Sequence, residues 1–344
     1  MMLSRTAGLW AILLLCPVLS CAPGKALIDR TAVEKIVWPG PPEKPRISYL
    51  WSVSSWGSEQ SGIAEFFAGA SDFDPADPRS AERLIRPYGV FVDEADYLYI
   101  TDPGAYRVTI IGTREGDVRH ILSAGSEDFL SPISVVAYRG KILVSDSLLK
   151  KVFIFDASGK LESTFEGVFE RPTGLGLDAV RGIVYVADTT AHTVYLHDAS
   201  GRRLGSIGGH GTDKGEFNFP THLWVDKRGD LYVVDSMNFR IQIFSGGKTF
   251  AAAFGTVGDA YGNLEKPKGI AVDSQDNTYV VDSIRDMVKI FDREGRLLLF
   301  FGGQGHDYGQ FWLPSGIFIR NDVIYVADTY NSRIQAFRYL GERP

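Results

Sequence analysis

The chain has 344 residues, 44% hydrophobic and 23% charged, the balance of an ordinary globular protein rather than a disordered or collagen-like one. Its formal net charge of −6 argues against a nucleic-acid surface, because phosphate binding needs a clustered basic face and no basic run is present.

Residues 1–21 read as an export signal. Arg5 supplies a positive start, and Leu9 to Leu19 form an apolar core too short for a membrane span. The segment ends in Val18-Leu-Ser-Cys21, which is similar to a bacterial lipoprotein cleavage box. Lipidation of Cys21 is therefore expected, which would leave the mature chain without a second cysteine and hold it on a membrane surface. The alternatives are plain signal cleavage or an uncleaved anchor. Ala22, following the cysteine in place of the aspartate that retains enteric lipoproteins at the inner membrane, favours the outer membrane. Residues 22–46 are proline-rich, with Trp38-Pro-Gly-Pro-Pro-Glu-Lys-Pro45, and read as a semi-rigid tether.

Ile47-Ser-Tyr-Leu-Trp-Ser-Val53 has the pattern of a strand, well before the first complete repeat. Asp72, Asp74 and Asp77 then cluster within residues 68–86. That segment lacks the glycine turn and terminal glutamate of a calcium loop, so a solvated acidic loop is expected.

From Pro87 onward one pattern recurs six times. Turn prolines sit at Pro87, Pro132, Pro172, Pro220, Pro267 and Pro314. Aspartates closing the second apolar run sit at Asp102, Asp146, Asp188, Asp235, Asp282 and Asp328, at spacings of 44, 42, 47, 47 and 46 residues. A fixed period in this range marks a repeat architecture. Each copy holds three runs rich in Val, Ile, Tyr and Phe. A fourth, such as Thr249–Phe254 or Leu297–Phe301, precedes a long connection. Four strands per copy make one propeller blade, and runs such as Tyr232-Val-Val, apolar on both faces, suit a sheet sandwiched between neighbours. The sixth copy stops after its third strand, near Phe337, so residues 47–56 are expected to supply the fourth and close the ring.

The motif Pro-x-Gly-Ile/Val-x-x-Asp, then Leu/Ile-Tyr-Val-x-Asp, then Arg-Ile-Gln-x-Phe resembles the NHL repeat of six-bladed β-propellers, best at Asp235…Arg240-Ile-Gln-Ile-Phe244 and Asp328…Arg333-Ile-Gln-Ala-Phe337. The resemblance implies an all-β, six-bladed propeller of four-stranded antiparallel blades over residues 47–340. A second copy with Ser134 in the glycine slot and no first aspartate departs most.

The repeated aspartates end strands where turns begin, so each is expected to bond its own turn and, at Arg107, Arg240 and Arg333, to pair across it. The glycine-rich connections, such as Gly302-Gly-Gln-Gly305, have no strand–glycine–helix context and no P-loop lysine, so they read as turns and not as phosphate cradles.

Function is expected where the copies disagree. One residue before the arginine slot they read Tyr106, Lys150, His192, Phe239, Asp286 and Ser332, with Arg285 and Tyr330 nearby. His222 stands where four other copies place glycine, with Trp224 on the same strand face. Tyr106, His192, His222, Trp224, Phe239, Arg285 and Tyr330 are therefore the candidate ligand or partner contacts at the channel mouth. For His222 the alternative is a satisfied histidine packed between blades.

The related peptidyl-α-hydroxyglycine amidating lyases place zinc-binding histidines directly after the turn proline. Here those positions are Tyr88, Ile133, Thr173, Thr221, Lys268 and Ser315, so that site does not carry over. No other metal spacing, nucleophile elbow or cofactor motif is visible, and no metal or cofactor is expected. The reading is a monomeric, envelope-anchored propeller that docks a protein or binds a small ligand. The alternatives are a metal-dependent hydrolase or lyase with its site in the channel, and an accessory subunit of an envelope secretion or electron-transfer complex.

Overall fold

A computed structural model describes residues 24–33, 35–57 and 81–341. The proposed signal segment with Cys21 and the Asp72–Asp77 cluster lie outside the described residues.

The chain forms six antiparallel blade sheets arranged as a ring; in five of them the four strands follow sequence order, and the sixth joins strands from both ends of the chain. Blade I runs from Val90 to Ile121, blade II from Pro132 to Thr164 and blade III from Pro172 to Gly208. Blade IV spans Pro220 to Phe254, and blade V spans Pro267 to Gly302. Blade VI takes Ile317–Arg320, Val323–Asp328 and Arg333–Tyr339 from the C-terminal end and its fourth strand, Ile47–Gly57, from the N-terminal end. The closure follows the register Tyr339↔Ile47 through Ile334↔Val53. The fold expectation holds, including the closing strand.

The second strands are buried on both faces, as in Leu231–Asp235. Six apolar clusters fill the six seams between neighbouring blades. One, for example, joins Tyr232 and Val234 of blade IV to Ile270 and Val280 of blade V. Burial on two sides, at about 25 cal/mol per Å², is why consecutive copies need one another.

Much of the segment read as a semi-rigid tether is folded onto the propeller. Lys25–Asp29 adds a strand outside Ile47–Gly57, and Val37–Trp38 pairs with Ile47 and Ser48. Trp38 packs at 5.7 Å against both Phe301 and Phe337, and the Ala26 amide donates to Gly116 of blade I. Alternating apolar residues and one indole outweigh the prolines here: the segment straps the seam where the ring closes.

The repeated aspartates are structural, but their reach is longer than the local turn. Asp102, Asp146, Asp188 and Asp282 each accept amides from the two residues that precede their blade's turn proline or lie just before it, such as Ile85 and Arg86, or Glu265 and Lys266. The side chain therefore fastens the incoming connection to the end of the second strand. Asp235 and Asp328 bond arginine as expected, through Arg240 Nε at 2.7 Å and Arg333 Nε at 2.8 Å. Arg107 turns instead to the carbonyls of Ala81 and Arg83. In blade V the cation moves inward: Lys289 occupies the slot of Gln242 and Gln335 and pairs with Asp282 at 2.8 Å, both groups buried.

In four blades the residue after the aspartate stitches neighbouring blades together. Ser147, Thr189, Ser236 and Thr329 donate hydroxyl hydrogen bonds to the carbonyls of Pro172, Pro220, Pro267 and Pro87, the turn proline of the next blade. The last of these joins blade VI to blade I.

Candidate functional site: the proline face and the channel

Strand pairing sets two faces. Pro132, Pro172, Pro220 and Pro267 lie opposite Asp146, Asp188, Asp235 and Asp282, and each aspartate pairs with the start of the third strand. The incoming connections and the turns between second and third strands therefore share one end of the ring, the proline face. The turns between first and second strands share the other.

The slot where the copies disagree has a common backbone. Tyr106, Lys150, His192, Phe239, Asp286 and Ser332 all have φ between +51° and +58°, the left-handed region that side chains with a Cβ disfavour. No copy places glycine there. These residues form the turn tips of the proline face.

Around the same face runs a ring of exposed apolar side chains. The second residue after the aspartate contributes Leu148 (66% exposed), Met237, Ile284 (57%) and Tyr330, and the connections contribute Leu130, Phe219 and Trp312. Three predicted residues join clusters within it. His192 packs against His210 at 4.3 Å and Phe219 at 4.7 Å and accepts the Phe219 amide on Nδ1. Burial, then the neighbouring His210, hold its basicity down. Tyr330 meets Trp312 at 5.6 Å under the Arg86 guanidinium. Arg285 is tied to Glu265 and to the Asp259 carbonyl. Tyr106 and Phe239 stand on separate turns, and the structure does not bring them together with the others.

His222 and Trp224 lie deeper, on the first strand of blade IV and so on the channel wall. The His222 ring stacks on Tyr88 at 5.6 Å and 24°. Tyr88 belongs to blade I, on the opposite side of a six-membered ring, so the pair crosses the channel. Lys268 of blade V lies 5.5 Å from the same tyrosine ring. Neither ring nitrogen of His222 has a hydrogen-bond partner among the described residues, unlike the satisfied histidine of the alternative reading. Burial, then the Lys268 charge, bring its pKa down to about 3. Burial and then Lys266 bring Lys268 down to about 8. His222 is thus a neutral imidazole at neutral pH.

Beyond this plug lies a chamber of about 240 Å³, lined by first-strand residues of all six blades. Trp224 meets Phe318 at 5.2 Å, and Phe318 meets Phe91 at 4.6 Å. Sequence reasoning missed Tyr88, Lys268, Phe91, Phe318 and Arg320 as channel residues; the signal available was that the first four stand in slots where the copies disagree, and that Arg320 replaces the aspartate of four other copies.

The glycine-rich connections are turns. Gly208 and Gly302 have φ of +92° and +98°, and a Cβ on either would fall 2.3–2.5 Å from the ring of Phe217 or Phe311, which each loop folds over. Among the described residues no group of three or more His, Cys, Asp and Glu side chains converges as a metal site.

Residues 311–337 match the family model described as the NHL repeat. No curated protein matches the chain in sequence. Solved structures do match in fold. An auxiliary nutrient binding protein from Bacteroides thetaiotaomicron aligns at TM-score 0.59 and 14% identity, over 75% of this chain and 70% of that one. Virginiamycin B lyase from Staphylococcus aureus aligns at 0.54 and 13%, over 74% and 94%. A chain of the nidogen/laminin complex aligns at 0.57 and 17%, over 72% and 87%.

Proposed function

We propose that this six-bladed propeller, whose last blade carries an NHL repeat, is a docking platform. It is held at a cell-envelope membrane through a lipid on Cys21 and presents its proline face to a partner protein. Similar folds occur in a lyase, a nutrient-binding protein and a member of an extracellular complex, so the fold does not choose among functions. The proline face supports the docking reading: Leu148, Met237, Ile284 and Tyr330 repeat one exposed apolar position in four of the six blades, and exposed apolar side chains rimmed by polar groups are the composition of an interaction site.

The rigidity of the face supports the same reading. Its turns are fixed by buried aspartates and by hydroxyl bonds to the next blade, so docking orders little backbone and costs little entropy. Aspartate at Leu148 and Ile284 together is expected to abolish partner capture, by at least tenfold, with the melting temperature unchanged. Capture that survives these charges would exclude the proline face. Cys21→Ser is expected to release the protein from the membrane fraction without affecting capture in solution, and a Cys21→Ser protein still in the membrane fraction would exclude the lipid anchor.

A further inference from the structure

We propose that the channel chamber is a binding site for a small aryl carboxylate, entered from the face opposite the docking surface, with the ring held by Trp224, Phe318 and Phe91 and the carboxylate held by Arg320. This site stands apart from the docking reading and does not depend on it.

The first observation is a break in the repeat. The residue six positions after the turn proline is Asp93, Asp178, Asp226 and Asp273 in four blades. Each of those carboxylates accepts amides of its own turn, as Asp226 does from Arg228 and Asp230. In blade VI the same slot is Arg320. Its guanidinium makes no hydrogen bond or ion pair among the described residues, and its Nε is buried without a partner. A half-buried cation lacking a counter-ion is costly unless something supplies one.

The second observation is where that cation sits. Arg320 lines the chamber, and by strand alternation it shares a face with Phe318. The chamber is otherwise apolar apart from Ser134 and the His222 ring, with no acidic side chain on its wall. The nearby carboxylates are committed to their own turns. Tyr88, His222 and Lys268 close the proline-face end, so the open approach is past Arg320 and Ala179.

Size sets the class. A dry cavity of about 150 Å³ takes benzene, so the 240 Å³ here suits a ring system plus a short acid arm, roughly ten to thirteen non-hydrogen atoms. The three aromatic side chains pack at 4.6 and 5.2 Å from one another and together form an aromatic wall of the chamber, against which a ligand ring can make the same offset or edge contacts. Planar bidentate recognition by arginine favours a carboxylate among monoanions of that size.

The test is calorimetric titration of the full chain with phenylacetate, trans-cinnamate and indole-3-acetate, and with cinnamamide as the uncharged control. At least one acid is expected to bind one-to-one, and cinnamate at least tenfold more tightly than its amide. Arg320→Met is expected to erase that preference, and Ala179→Trp, at an exposed position on the chamber wall, to block binding without lowering the melting temperature. No saturable binding of any of the three acids would overturn the proposal. So would an amide that binds as well as its acid, or binding indifferent to Ala179→Trp.

Discussion

The imidazole of His222 lies against the phenol of Tyr88 at 5.6 Å and 24°, reaching across the channel from the opposite blade. The contact exists because blade IV places histidine where four copies place glycine, and at Gly174 and Gly316 a Cβ would meet a neighbouring carbonyl at 2.3 Å.

That histidine makes the ring acid-sensitive. The unfolded imidazole titrates near 6.5, whereas burial brings His222 to about 3 and His197 to about 4. The unfolded chain therefore takes up protons first. Stability from these groups is complete above about pH 7 and falls as pH drops from 6.5 towards the folded values, by ~1.4 kcal/mol per pH unit per histidine. His222→Gly, which restores the repeat residue, is expected to remove one such contribution. Urea unfolding at pH 7.5 and pH 5.0 should show the variant losing ~2 kcal/mol less than the parent; equal losses would contradict the assignment.

Blade V offers a separable test of the aspartate clamp. Lys289→Gln leaves the Asp282 carboxylate buried without its cation and is expected to cost ~3 kcal/mol. Adding Met287→Arg recreates the arrangement of Asp235 with Arg240 and Gln242. Most of the loss should return in the double variant, and a purely additive result by denaturant unfolding would refute the equivalence.

Trp38 distinguishes a strap from a spacer. Its indole packs on Phe301 and Phe337, so Trp38→Ala is expected to cost ~2–4 kcal/mol. A free tether would tolerate the change, and an unaltered melting temperature would return residues 22–46 to that role.

The turn tips carry a cost in the fold. Tyr106 holds φ at +51° with its side chain 41% exposed, and glycine relieves such strain. Tyr106→Gly is expected to raise stability by ~0.5–1 kcal/mol while weakening partner capture, the trade expected of a functional position. A destabilised variant would show that the tyrosine is held by packing.

The blades, their number and the closing strand were legible because period, alternation and turn residues all point to one ring. The aspartates were legible as structural, yet their true partners lie 15 to 18 residues upstream, a distance that no local pattern reports. The left-handed slot escaped notice because its residues are not glycine. Arg320 escaped because it breaks the pattern by charge in the last copy, where attention rests on the well-matched Asp328 and Arg333. His222 was found by a like departure, in which a bulky ring replaces glycine.

The most direct test of the proposed docking face is photo-crosslinking in intact cells, with a benzophenone amino acid placed singly at Leu148, Met237, Ile284 and Tyr330, and at Val180 on the opposite face, where the residue is 88% exposed. One partner band shared by the four proline-face positions and absent from Val180 is the predicted result. A partner captured at Val180, with the four proline-face positions silent, would contradict it.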